Sequence, residues 1–215
     1  MKKLLVLMLV LLNTGIIFSQ NEFQKFINHV NSLSDPASKA AAVDSFMVYA
    51  RAQGIPFITG DSANFIYKGT ASSIAVAGDF TFWNTNVFLT KLNQTNFWYY
   101  SRIFEMDARL DYKFVLNGTN WILDPENPRR VSGGFGPNSE IAMPEYVQPW
   151  EINYQPAILH GTVLNKTIFS SSVGTNYQLQ IYLPPGYDSL SSELYPTVYF
   201  QDGFEYISLA SAVNV

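Results

Sequence analysis

Apolar residues recur at two different periods along this chain, and the change of period marks out its parts. Phe23, Phe26, Ile27, Val30 and Leu33 come three and four apart, the spacing of one helical face. Ser34-Asp35-Pro36 then interrupts the stripe. Asp35 offers a side-chain acceptor at an N-cap, and Pro36 suits the first helical position. The stripe resumes at Ala40, Val43, Phe46, Met47 and Ala50, with Gly54 placed as a C-terminal cap. Residues 20–54 are therefore expected to form a helical hairpin. Two short helices cannot hold together alone, so the hairpin is expected to pack on the segment C-terminal to it. His29 falls on its polar side.

Residues 55–149 change to short alternating runs: "NFIYKG", "SIAVAGDF", "WYYSRIFEM" and "LDYKFVLNG". Gly, Asn, Thr and Asp separate them at intervals of roughly 8–12 residues, which argues for an all-β sandwich. Asn117-Gly118 reads as a tight hairpin turn leading to Trp121. The tract "GGFGPNSE", residues 133–140, has no lysine and opens no helix, so it is expected to be a loop and not a phosphate cradle.

Residues 150–215 change again. "HGTVLNKTIFSS" and "YQLQIYLPP" read as an antiparallel pair joined through "SVGTN". "TVYF", residues 197–200, is apolar throughout, as a strand inside an α/β sheet would be. Beyond Gly203, "FEYISLASAV" reads as the first turns of a helix. One such strand cannot make a doubly covered sheet, so an incomplete α/β domain is expected here.

The first nineteen residues stand apart from these patterns. Met1-Lys2-Lys3 is basic, Leu4 to Leu12 is a short apolar run, and small residues lead to a cut after Ser19. That is the layout of a cleavable signal peptide and implies a secreted or periplasmic protein. The run is too short for a membrane span, so no membrane association is expected after cleavage. The 13 basic residues less Lys2 and Lys3 leave 11 against 17 acidic ones, a net of about −6. That balance disfavours nucleic acid and anionic lipid as partners. With no cysteine and only His29 and His160, neither disulfides nor an ordinary zinc site is expected, and no cofactor or metal is called for. Hydrophobic residues at 47% against 14% charged allow a packed core. Three sequons, "NQT", "NGT" and "NKT", carry little weight without a host that would use them.

The middle segment resembles the family-48 carbohydrate-binding module, the immunoglobulin-like domain of starch-branching enzymes and AMP-activated kinase β subunits. "VAGDFTFWN" (76–84), "LDYKFVLNG" (110–118) and "WILDPENP" (121–128) carry the likeness, in the family's order over about 90 residues. The resemblance implies that Trp83, Lys113 and Trp121 form a sugar platform. Indole faces stack on a pyranose, and an ammonium donates to its hydroxyls. Equally open is that both tryptophans are ordinary buried aromatics of a sandwich. Thr81-Phe82 departs from the family's polar-Gly pair before the tryptophan.

The last segment resembles the N-terminal edge of the α/β-hydrolase domain in enterochelin-esterase-like (esterase D) enzymes. "YLPPGYD" (182–188) and "YPTVYFQDGFEY" (195–206) carry it, over about 50 residues. The family hydrolyses esters with a Ser-His-Asp triad. The resemblance implies that the Phe204 backbone N–H, in the turn of Asp202 and Gly203, belongs to the oxyanion hole, the Asp202 carboxylate fixing that turn. An Asp-Gly pair is also simply a good turn. No Gly-x-Ser-x-Gly occurs in the chain. Triad residues come after the oxyanion strand in this fold, so His160, which precedes it, is not the triad histidine.

The expected architecture is thus mixed: signal peptide (1–19), helical hairpin (20–54), immunoglobulin-like β-sandwich (55–149), and the start of an incomplete α/β-hydrolase domain (150–215). The expected function is that of the N-terminal part of an exported serine esterase, inactive alone. Its substrate would be a siderophore or carbohydrate-linked ester, with an oligosaccharide as a further ligand. The alternatives are an exported glycan-binding sandwich without catalysis and a sandwich that only shapes an esterase cleft.

Overall fold

A computed structural model describes residues 22–213; the expected signal peptide lies outside the described residues. The chain divides into two compact units. One comprises the described residues up to Val131 together with Asn138–Tyr146, and the other comprises Ser132–Pro137 and the residues from Val147 onward.

The first unit opens with α1 (Glu22–Ser32) and α2 (Pro36–Gln53). Asp35 caps α2, accepting from the Ser38 backbone N–H at 2.8 Å and the Ser38 hydroxyl at 2.7 Å. These bonds hold the Asp35 carboxyl below its ordinary pKa. At the other end the Gly54 N–H closes on the Ala50 carbonyl at 2.9 Å with φ at 107°, a backbone that glycine adopts freely. The buried face of α2 is Lys39, Val43, Phe46, Met47 and Ala50. Lys39, not the expected Ala40, continues it, because Lys39 lies four residues before Val43 and its aliphatic stem can cover apolar surface.

Two antiparallel sheets come next. The first takes β1 (Phe57–Thr59), β2 (Ser62–Lys68), β4 (Thr90–Lys91) and β5 (Phe97–Ile103), in the order β1-β2-β5-β4. The second has β3 (Ile74–Gly78), β6 (Arg109–Leu116), β8 (Arg130–Val131) and β9 (Asn138–Ala142), in the order β3-β6-β9-β8, with β7 (Asn120–Ile122) also paired to β6. Asn138 to Glu140, expected in a glycine-rich loop, are strand residues because they pair with β6 and β8.

Alternation along the strands gives the first sheet two buried faces. Ile66 and Phe97 point to one side and join Phe23, Phe26, Val30 and Phe46 of the helices in one core. Phe26 and Phe46 stack there at 3.9 Å, with Phe97 edge-on to both. Ala63, Phe65 and Trp98 point to the other side and share a second core with Val76, Tyr112, Phe114 and Ile141. The unit is therefore three layers: helices, first sheet, second sheet.

In the second unit, β10 (Thr162–Ser170) and β11 (Thr175–Leu183) form a regular hairpin. Its register sets most of the apolar side chains, together with Lys166, on one face, and leaves Val163, Phe169 and Tyr182 on the other. Leu164, Ile168, Tyr177, Leu179 and Ile181 lie on one face, at 38 to 48% exposure, and Asn165, Thr167, Gln178 and Gln180 lie on the other. The run Tyr195–Phe200, expected to hold a core strand, is not a strand, and Val198, Tyr199 and Phe200 are exposed. A parallel strand exists only through its neighbours, and among the described residues none pairs with this run. A one-and-a-half-turn helix, α3 (Gly203–Ser208), comes after it.

Candidate functional site

The outer face of the second sheet gathers two of the three residues expected to bind sugar. Along β6, Tyr112, Phe114 and Leu116 point into the core, so Asp111, Lys113 and Val115 point out. Trp121 on β7 pairs directly with Val115 and so shares that outer face. The turn between β6 and β7 has positive φ at both Asn117 (55°) and Gly118 (84°). The Asn117 carboxamide oxygen accepts from the Ser72 N–H and hydroxyl, each at 2.8 Å. Lys113 pairs with Ala77, is half-buried, and forms no ion pair among the described residues.

Trp83 arrives from the turn after β3. Its N–H donates to the Gly78 carbonyl at 2.9 Å and its indole Nε1 to Asp79 Oδ1 at 3.0 Å. The other Asp79 oxygen accepts the Asp111 N–H at 2.8 Å, which moors the turn at the Asp111 end of β6. Gly78 is required there: a Cβ would stand 2.3 Å from the Asp111 carbonyl oxygen. Phe82 and Trp83 both take left-handed backbone, at φ 52° and 59°, a cost of about 1–3 kcal/mol each for residues with a Cβ. The turn holds it through Thr81, whose hydroxyl bonds both the N–H and carbonyl of Gly78 at 3.0 Å. Neither Trp83 (36% exposed) nor Trp121 (44%) is a core residue; the buried tryptophan of the sandwich is Trp98.

Beneath this face lies a polar cluster that the sequence reading did not single out. Asp124, Asn127, Ser139 and Tyr112 are fully buried. The Tyr112 hydroxyl donates to Asp124 Oδ2 at 2.6 Å, the Glu126 N–H to Asp124 Oδ1 at 2.9 Å, and the Asn127 amide to the Tyr112 oxygen at 3.2 Å. Burial pushes the Asp124 carboxyl up to about 6, against these hydrogen bonds, which favour the carboxylate. Burial also raises the Tyr112 hydroxyl well above its ordinary value, helped by the Asp124 charge. Glu126 on the same loop forms a two-pronged pair with Arg51 of α2 at 2.6 and 2.7 Å, tying helix to sheet. The signal was present in "DPENP", where Asp124 directly follows the apolar run Trp121-Ile122-Leu123 and Glu126 and Asn127 stand between two prolines.

The residues of the second unit give a looser arrangement. Asp202, not Gly203, carries the positive φ (55°). Its carbonyl, not its carboxylate, makes the bonds of the turn, accepting from Glu205 N at 2.8 Å and Tyr206 N at 3.4 Å; the side chain caps nothing. The N–H of Phe204 belongs to the first turn of α3, where no intrahelical acceptor is available. His160 sits in the stretch before β10, bonded to the Gln155 carbonyl at 2.7 Å and stacked on Tyr154. A separate cleft of about 310 Å³ opens beside α1, lined by residues that include Ser62, Asn64 and Ser101; it holds none of the expected site residues. Among the described residues no three His, Asp or Glu side chains come together as a metal site.

No family model and no curated protein matches this sequence. Solved structures of enterobactin esterases do align with it. The ferric enterobactin esterase of Salmonella typhimurium is 15% identical with a TM-score of 0.42, covering 55% of this chain and 40% of its own. The enterobactin esterase of Shigella flexneri, solved with enterobactin, is 18% identical with a TM-score of 0.38, covering 54% and 38%. This chain therefore spans about two-fifths of the length of these structures.

Proposed function

We propose that this chain is the N-terminal part of an exported serine carboxylic-ester hydrolase of the enterochelin-esterase-like kind. The observation that carries the reading is the Gln201-Asp202-Gly203 turn, which opens α3 and leaves the Phe204 N–H free of any helical acceptor. It comes after the "YLPPGY" and "YP" motifs in the family's order. The bare apolar face of the β10–β11 hairpin and the uncovered Tyr195–Phe200 run support it further. A two-stranded hairpin is marginal in water, so this surface suits strands and helices of a larger α/β domain. The nucleophilic serine, its histidine and its acid then lie outside residues 22–213. The serine attacks the ester carbonyl, and the Phe204 N–H donates to the oxygen as charge develops on it. A siderophore or carbohydrate-linked ester is the substrate class the resemblance implies, and the pattern of residues 1–19 supports export.

Labelling the protein from its native source with a fluorophosphonate tests this. The expected adduct is on a serine outside residues 22–213. In that full-length protein Phe204→Pro, which deletes the N–H, lowers kcat by about 10²–10³, whereas Phe204→Ala, which keeps it, does not. Absence of both labelling and hydrolysis of p-nitrophenyl acetate would overturn the proposal.

A second reading concerns the β unit: its outer face binds an oligosaccharide. Lys113 and Trp121 on one face, with Trp83 moored at its end, support that role. Trp121→Ala separates it from a purely structural one. Lost glycan binding in a folded protein supports the platform, and failure to fold supports the structural role.

A further inference from the structure

A row of four residues crosses the outer face of the second sheet from edge to edge. Trp121 pairs with Val115, Val115 with Ala75, and Ala75 with Phe88. Phe88 lies on a segment that runs antiparallel to β3, with Val76 N bonded to the Val87 carbonyl at 2.9 Å and Leu89 N to the Ile74 carbonyl at 2.8 Å. Its neighbours Val87 and Leu89 pack into the core between the sheets, so alternation turns Phe88 outward. At 60% it is the most exposed member of the row. Between the two aromatics, Ala75 and Val115 are closed to solvent although they lie on the outer face. The accessible part of the row is therefore its two ends, Phe88 and Trp121. Three strand spacings separate Phe88 from Trp121, about 14 Å.

We propose that Phe88 is a further stacking residue of this face, and that the face takes a linear oligosaccharide lying across the strands from Trp121 to Phe88. The inference rests on the glycan-binding reading above and adds to it a residue and a minimum ligand length. Lys113 decides between this occupant and a protein surface. Its ammonium has no carboxylate partner among the described residues, and a dry apolar interface, such as a second copy of the chain, would bury an unpaired charge. A sugar supplies hydroxyl acceptors to the ammonium while its C–H faces stack on the rings.

Calorimetry on the full chain with maltohexaose, cellohexaose, maltose and cellobiose tests the proposal. Phe88→Ala weakens binding of the preferred hexasaccharide tenfold or more, Phe88→Tyr leaves it near wild type, and the corresponding disaccharide, too short to bridge both aromatics, is insensitive to Phe88→Ala. If Phe88→Ala binds the hexasaccharide as wild type does while Trp121→Ala does not, Phe88 lies outside the site and the platform reading survives alone. If wild type binds none of the four sugars, the platform reading fails and this inference with it. A dimer seen by sedimentation that Phe88→Ala dissociates would make the face a contact between copies and overturn the proposal.

Discussion

Asp124 shows how one buried side chain gives the molecule a pH signature. Its carboxyl titrates near 6 in the folded state, against an ordinary value of 3.8. Between those values the folded state keeps the proton and the unfolded state has lost it, so raising the pH favours unfolding. Its contribution to stability is therefore full below about pH 4 and lost by the time pH passes about 6. Asp35 and Glu126, whose carboxyls are held down by Ser38 and Arg51, act in the opposite sense and lose stability as pH falls. Comparing Asp124→Asn with wild type isolates the first effect. In denaturant titrations across pH 4 to 7, the variant should gain stability relative to wild type as pH rises. A constant difference across that range would show that Asp124 does not titrate there.

Residues like this one mark the edge of what the sequence shows. Gly54 and Asp35 were legible because their partners, Ala50 and Ser38, lie within four residues; the Asn117-Gly118 turn was legible from its backbone conformation, but the bonds of Asn117 to Ser72, 45 residues away, were not. Phe88 was not, because its place depends on a single bridge to Ala75. Nor was Asp124, whose partners Tyr112 and Ser139 stand 12 and 15 residues away.

At the scale of elements, the helical hairpin was legible from its stripe, and its dependence on a partner from its size. Phe46 is the measure of that dependence. It stacks on Phe26 and meets Phe57 and Phe97 edge-on, so one ring joins both helices to two strands. Phe46→Ala should cost about 3–5 kcal/mol in urea unfolding. A loss under about 1 kcal/mol would mean the hairpin is a loose appendage. The expected strand at residues 197–200 illustrates the opposite case. Its composition suits burial, but composition cannot supply the neighbouring strands that burial requires, and the run is exposed and unpaired. The β10–β11 hairpin formed because its pairing is its own, although its apolar face is bare.

For the molecule as a whole, the two units differ in how their backbone is protected. β2 and β5 have apolar cores on both faces, whereas β10 and β11 have none. Local opening should track that contrast. In hydrogen exchange of residues 20–215 as a free chain, amides of β10 and β11 should exchange at least a hundredfold faster than those of β2 and β5. Equal protection would mean that the hairpin face is covered in solution. If that face belongs to the sheet of an esterase domain, the natural protein carries the covering elements. The most direct measurement is the intact mass of the mature protein from its native source. The proposed esterase predicts a mass greater than that of residues 20–215 by roughly 20 kDa, enough to complete an α/β domain of about 250 residues. A mass equal to residues 20–215 would contradict it.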